Sequence, residues 1–230
     1  MGLLPKYKIE ELKREKREAK AAKKRKENTR SKIVRFLIVC EGSRTEPNYF
    51  QALVRDRYSE VRDEKIVGEG KSTCALVKRT LQIKEELEHK RQLLFDRVWV
   101  VFDKDDFTDF NEAIQLAASY SFQSAWTNEA FELWYFLHFQ YLDAGISRHD
   151  YIEKLQSAIR KHPGYENYEY KKNDPSVYKM LTTIGNEDLA KRYAERLRSF
   201  FEGDEDYKEH KPCTTVDLLV RELENPEKLL

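Results

Sequence analysis

Two acidic stretches stand out because each follows an apolar run. In FLIVCEGSRTE, Glu41 comes directly after such a run and Glu46 follows five positions later. In VVFDKDDF, Asp103, Asp105 and Asp106 follow a second one. Carboxylates gathered at one point repel each other unless a cation joins them, and hard divalent ions such as Mg²⁺ or Mn²⁺ take oxygen ligands. If the backbone stays extended, Asp103 and Asp105 point to the same side, because side chains along a strand repeat every two residues. Such an Asp-x-Asp pair can clamp a metal, and one or two metals can polarise a phosphoryl group and activate water. Acids at strand ends also serve as caps and turn formers. The Asp-x-Asp pair alone is therefore a weak signal. Its combination with an apolar run ending in Glu-Gly, 62 positions earlier, is much stronger.

The elements that must position these acids follow from hydrophobic periodicity. Ile33–Cys40 and Asp96–Phe102 are short, almost wholly apolar and rich in β-branched residues. They predict strands covered on both faces, as in a parallel sheet. Phe122–Thr127 predicts a third strand, and Ile66–Val67 a short one before Gly68 and Gly70. Helices are predicted over Asn48–Tyr58 with Pro47 in the first turn, and from a cap at Ser72 or Thr73 to about Lys90. Two more are predicted over Phe110–Tyr120 and Ala130–Phe139. Strands alternating with helices indicate an α/β domain with a largely parallel sheet flanked by helices. In such sheets functional groups collect at the carboxyl ends of the strands. If the two apolar strands are neighbours, Glu41 and the aspartates share one edge, and Glu46 can face the same spot. After Tyr141 the β signals fade. Arg148–Lys161, Val177–Ile184, Glu187–Phe201 and Thr214–Leu223 read as helices, with His162–Asp174 a polar loop.

Charge is distributed unevenly. The net charge is +1, yet residues 1–32 hold 13 Lys or Arg against 5 Glu, a net of +8, which leaves −7 on the remainder. Tyr7–Asn28 contains neither Gly nor Pro and favours helix. The expected organisation is a basic N-terminal helical arm over 1–30, an α/β domain over 31–141 and a helical C-terminal region over 142–230 packed on it. A basic arm on an acidic body suits nucleic-acid binding, and equally a solvated helix that aids solubility. No apolar run reaches the roughly 18 residues of a membrane span, and the N-terminus lacks the apolar core of a signal peptide. Cys40, Cys74 and Cys213 are scattered and form no metal-type pair or disulfide framework. The expectation is a soluble cytoplasmic protein.

Several further residues can contribute. Glu132, within AFELWYFLHF, is surrounded by apolar residues, and a buried carboxylate needs a partner or a metal. It can join the acidic site or serve as a helix N-terminal acid. Arg44, Lys71 and Lys104 flank the acidic motifs and can hold phosphates. GEGKST is not a Walker A loop, because Lys65 stands where a glycine is required. His138 reads as a packed histidine. Tyr165, Tyr168 and Tyr170 beside Lys171 and Lys172 can stack single-stranded bases, although ordinary surface loops share this composition.

The joint pattern resembles the Toprim fold, whose signature is a glutamate ending the first strand and an Asp-x-Asp after a later one. Here these are Glu41 and Asp103-x-Asp105. More narrowly, the chain resembles the RloB family of bacterial proteins. CEGSRTEPNYF, with Glu46, Pro47, Tyr49 and Phe50, is similar to the family's opening motif, and VVFDKDDF to its acidic motif. WTNEAFELWYFLHF (Trp126–Phe139) is similar to its block around FELW, and KPCTTVDLLVREL (Lys211–Leu223) to its C-terminal helix motif. Glu129 replaces the family's proline, and Cys213 a small residue. The resemblance implies metal-dependent phosphodiester chemistry with Mg²⁺ or Mn²⁺. It implies Glu41 as metal ligand or acid/base group, and Asp103 and Asp105 as metal ligands. Glu46 and Asp106 are candidates for a second metal or for positioning water. It also implies a setting of restriction loci and abortive infection, often beside an AAA-type ATPase partner. The leading expectation is a divalent-metal-dependent nuclease of DNA or RNA in bacterial antiphage defence. A non-catalytic nucleic-acid-binding or regulatory subunit of an ATPase complex is the alternative, and a primase-like nucleotidyl transferase a third reading. The oligomeric state is left open.

Overall fold

Both apolar runs form strands, and they lie side by side. In this computed structural model, strands β1 (Val34–Cys40), β2 (Arg62–Gly68), β3 (Arg97–Asp103) and β4 (Gln123–Thr127) make one all-parallel sheet in the order β2-β1-β3-β4. Helices α1 (Thr45–Asp56), α2 (Thr73–Arg91) and α3 (Phe110–Ser119) connect them. Five more follow: α4 (Glu132–Leu137), α5 (Arg148–Ile159), α6 (Val177–Ile184), α7 (Glu187–Ser199) and α8 (Val216–Glu224). The architecture is α/β, with helices flanking a parallel sheet, and is consistent with a Toprim-like fold.

The structure describes residues 33–71 and 73–230 and, before them, residues 8, 10, 13–18 and 20. These belong to two units, Met1–Ile33 and Val34–Leu230. In the first, residues 13–18 are helical, and Arg14 pairs with Glu18 at 3.2 Å, one turn on. The rest of the helix expected over Tyr7–Asn28, apart from residues 8, 10 and 20, lies outside the described residues, as does Ser72.

Strand periodicity explains the two cores of the second unit. Phe36, Ile38 and Cys40 of β1 and Trp99 and Val101 of β3 point to one face, against Tyr49, Phe50 and Leu53 of α1 and the apolar faces of α4 to α8. Leu37, Val39, Val98, Val100 and Phe102 point to the other, against α2 and α3. Central strands buried on both faces must be apolar throughout, which is why β1 and β3 are so legible. In contrast, β2 runs for seven residues, RDEKIVG, where only Ile66–Val67 is apolar enough to predict a strand. It occupies a sheet edge, where polar side chains remain solvated and pairing with β1 supplies the hydrogen bonds. Helix α1 starts at Thr45, with Pro47 in its first turn, where the missing N–H costs nothing. Helix α4 covers only six of the ten residues expected over Ala130–Phe139, and tight i→i−3 bonds flank it. Among the described residues no helix is long and apolar enough to cross a membrane.

Candidate functional site

The pairing of β1 with β3 brings the two acidic motifs together. The register sets Cys40 opposite Val101, and the Glu41 N–H continues the ladder to the Val101 carbonyl at 2.8 Å. The Glu41 side chain then reaches across, and its Oε2 accepts the Asp103 N–H at 3.1 Å. Asp103 Oδ2 accepts the Phe131 N–H at 3.0 Å, which ties the end of β3 to the entry of α4. Glu132, one residue on, is 4% exposed, and its Oε1 accepts the Tyr170 hydroxyl at 2.8 Å.

Glu46 arrives from the first turn of α1. It is 7% exposed, and its Oε2 has no hydrogen-bond partner among the described residues. Gly42 makes this placement possible, since a Cβ there would lie 1.9 Å from Glu46 Oε2. Gly68, at the end of β2, is needed for the same turn, because a Cβ would lie 2.6 Å from the Gly42 carbonyl oxygen. The glycine after Glu41 is thus a matter of close approach, not of backbone angle.

A cavity of about 450 Å³ opens on these groups. Glu41, Glu46, Asp103 and Asp105 line it, together with Lys71, Arg148, Lys172 and Asn173. The acids are hard to ionise here. Burial, helped by repulsion from Asp105 and Glu46, pushes Glu41 up to about 7 against the bond from the Asp103 N–H. Burial and repulsion from Glu46, Glu132 and Glu41 raise Asp103 well above the carboxylate range. Burial and the nearby Glu132 raise Glu46. Such shifts mark a site where negative charge is held together against its own repulsion.

The basic side chain closest to the aspartates is Arg148. Its Nη2 lies 2.5 Å from Asp105 Oδ1 and 4.0 Å from Asp103 Oδ2, and donates to the Glu129 carbonyl at 2.8 Å. Arg148 opens α5 directly after the Ser147 cap, so its position is not visible from the motifs. Asn173 was missed for a similar reason, and Lys172, read only as a neighbour of the loop tyrosines, lies on the acidic cavity instead. Both belong to the polar loop over His162–Asp174. Asn173 fastens that loop to α1: Thr45 Oγ1 donates to its Oδ1 at 2.9 Å and Asn48 Nδ2 to its carbonyl at 3.2 Å. Tyr165, Tyr168 and Tyr170 of the loop are half-buried and pack against the core, so they are not presented for base stacking.

Of the acids singled out from sequence, Glu41, Glu46, Asp103 and Asp105 share the cavity wall, and Glu132 lies behind it. Asp106 is exposed and outside the lining. Lys71 is on the wall, whereas Arg44 is exposed and Lys104 half-buried away from it. His138 is buried, bonds the Trp134 carbonyl through Nδ1, and is lowered by burial to about 4, so it is a neutral packed histidine.

Among the described residues, no group of three or more His, Cys, Asp or Glu side chains is arranged to hold a metal ion. One oxygen each of Glu41, Asp103 and Glu132 is taken by a protein donor. The donor set nevertheless fits a hard divalent cation: it is all carboxylate, it is short of positive charge, and Glu46 Oε2 is buried without a partner.

A family model described as RloB-like protein matches residues 36–223. The matched segment contains every acid of the cavity. No curated protein and no solved structure matches the chain.

Proposed function

The chain belongs to the RloB-like family, and from the acids at the carboxyl ends of its central strands we propose that it hydrolyses phosphodiester bonds of DNA or RNA with Mg²⁺ or Mn²⁺. The observation that carries this reading is the convergence of Glu41, Glu46, Asp103 and Asp105 on one cavity that also bears Lys71 and Lys172. Glu41, Asp103 and Asp105 would hold the cation, with Glu46 and Glu132 behind them. A bound divalent cation draws charge from the phosphoryl group and lowers the cost of the charge that develops there.

The chain's own groups supply the rest. Lys71 and Lys172 favour an anionic backbone at the cavity wall. Glu41 has one oxygen fixed by the Asp103 N–H, which orients the other either toward the cation or for proton transfer with an attacking water. The Phe131 N–H fixes the Asp103 carboxylate, and Tyr170 fixes Glu132, so the acids are set before substrate arrives. We extend the proposal to the antiphage setting and ATPase partner that the family resemblance implies.

The test is cleavage of labelled single- and double-stranded DNA and RNA by the full chain with Mn²⁺. Products are expected with the wild type, lost with a chelator and lost in Asp103→Ala. Full metal-dependent cleavage by Asp103→Ala overturns the reading. A second reading, a non-catalytic nucleic-acid-binding or regulatory subunit, draws on the Arg148–Asp105 pair, which neutralises one acid without any metal. Calorimetry separates the two, since that reading requires no Mn²⁺ uptake that depends on Asp103 and Asp105.

A further inference from the structure

Arg148 differs from the other arginines that meet acids inside this molecule. Arg57 bonds Glu187 and Glu224 together, and Arg198 forms a fork on Asp217 while also donating to the Thr214 carbonyl. Those guanidiniums are matched by their acids. Arg148 faces Asp105 at 2.5 Å and Asp103 only at 4.0 Å, with Glu41, Glu46 and Glu132 close enough to affect, or be affected by, its charge. Among the described residues Arg148 alone pairs with any of these five acids within 4.0 Å, while Lys71 and Lys172 stand further off on the cavity wall.

Its mounting is firm at the backbone and open to solvent at the side chain. Ser147 Oγ accepts the Asp150 N–H, while Asp150 accepts the Ser147 N–H and hydroxyl, a reciprocal cap that fixes the start of α5. The guanidinium is steadied by the carbonyl of Glu129, a residue with φ of 79° whose side chain pairs with Lys211. Yet 36% of the Arg148 side chain stays exposed, which leaves it a solvent-side path out. A cation that takes the two oxygens facing Nη2, Asp105 Oδ1 and Asp103 Oδ2, competes with the guanidinium for them.

We propose that Arg148 is the resident counter-ion of the Asp103-x-Asp105 pair: it holds the two carboxylates in place in the metal-free protein and yields that place when a divalent cation loads. It is a positioning residue and not a catalytic one. The inference rests on the reading of the acidic cavity as a divalent-cation site. It explains why buried acids with an unpartnered oxygen tolerate a protein without metal, and why the opposing charge comes from a half-exposed arginine and not a locked one.

The test compares the wild type with Arg148→Gln and Arg148→Lys as full chains, by thermal unfolding with and without Mn²⁺ and by Mn²⁺ calorimetry. Without metal, Arg148→Gln melts below wild type and Arg148→Lys close to it. With saturating Mn²⁺, the deficit of Arg148→Gln closes, and its Mn²⁺ affinity rises about tenfold, since no arginine must be displaced. A deficit that persists unchanged in Mn²⁺ identifies an ordinary structural ion pair and overturns the inference. Weaker Mn²⁺ binding by Arg148→Gln also overturns it, by showing that arginine and metal cooperate. If wild type and Arg148→Gln bind Mn²⁺ equally, this inference falls while the metal site stands; if neither binds Mn²⁺, both fall together.

Discussion

Two of the charge clusters in the second unit are built on opposite terms. Near the start of β2, Arg57 and Lys191 each meet both Glu187 and Glu224, two cations against two anions. Beside them the Arg62 guanidinium is spent on the carbonyls of Leu223, Val54 and Arg57 and on Glu64. Every charge there has a mate. At the other end of the strands, Glu41, Glu46, Asp103, Asp105 and Glu132 have Arg148 as their one ion-pair partner among the described residues, with Lys71 and Lys172 further off, and one oxygen of Glu46 has no hydrogen-bond partner among those residues. The fold can balance buried charge, and at one end it does. The imbalance at the other end therefore costs stability, and a cation or an anionic substrate with its cation is what would remove that cost.

Removing one charge from each cluster breaks the comparison most sharply. Arg57→Ala leaves Glu187 and Glu224 with Lys191 alone, and unfolding should become easier by about 2 kcal/mol. Asp103→Asn keeps an acceptor for the Phe131 N–H and replaces a carboxyl that burial and its neighbours hold against ionisation, so metal-free stability should hold or rise. Denaturant melts of both variants read this directly. A large loss in Asp103→Asn, equal to that of Arg57→Ala, would mean the two ends are alike and the acids are structural.

The pH dependence is the next largest effect. Folded Glu41 titrates at about 7, whereas an unfolded glutamate does so near 4.5. The folded state therefore holds a proton across that window which the unfolded state has lost. The resulting stabilisation is full below about 4.5 and fades as pH rises through 7. Glu41→Gln abolishes this term, leaving Glu46 and Asp103 in place. The variant should match wild type at pH 5 and exceed it at pH 8 by roughly 1–2 kcal/mol, after allowing for the solvent that reaches Glu41. An equal offset at both pH values would show that Glu41 is not held against its charge.

The contrast between the clusters also shows what the sequence can reveal. β1 and β3 were legible because strands buried on both faces must be apolar, and the acids that end them interrupt that pattern abruptly. Glu46 followed from its place in the first helical turn. β2 was largely missed because an edge strand can be polar, and RDEKIVG has no strand-like alternation to read. Arg148, Asn173 and the place of Lys172 at the cavity were missed because these residues come from the helical half of the chain, 45 or more positions after Asp103. Only packing brings them to the cavity, and no spacing rule encodes it. The balanced cluster was equally hidden, since Arg57, Lys191 and Glu224 meet across more than 160 positions at the extremes.

Glu132 is the residue on which the boundary between the two kinds of cluster turns. It faces the acids, which makes it part of the unbalanced end, yet it has a donor in Tyr170, as the balanced end would supply. Tyr170→Phe removes only the hydroxyl. Glu132 then keeps its burial and loses its hydrogen bond, which should lower stability by about 1 kcal/mol, or roughly 2–4 °C in Tm. The informative quantity is the further change on adding Mn²⁺. If Glu132 belongs to the cation's surroundings, the freed carboxylate has most to gain from a cation, and the Mn²⁺-induced rise in Tm should be larger in Tyr170→Phe than in wild type. If the Tyr170–Glu132 bond is a structural tie of the loop over 162–174, the rise should be the same in both. Equal rises would draw the edge of the functional cluster at Asp103 and leave Glu132 with the scaffold.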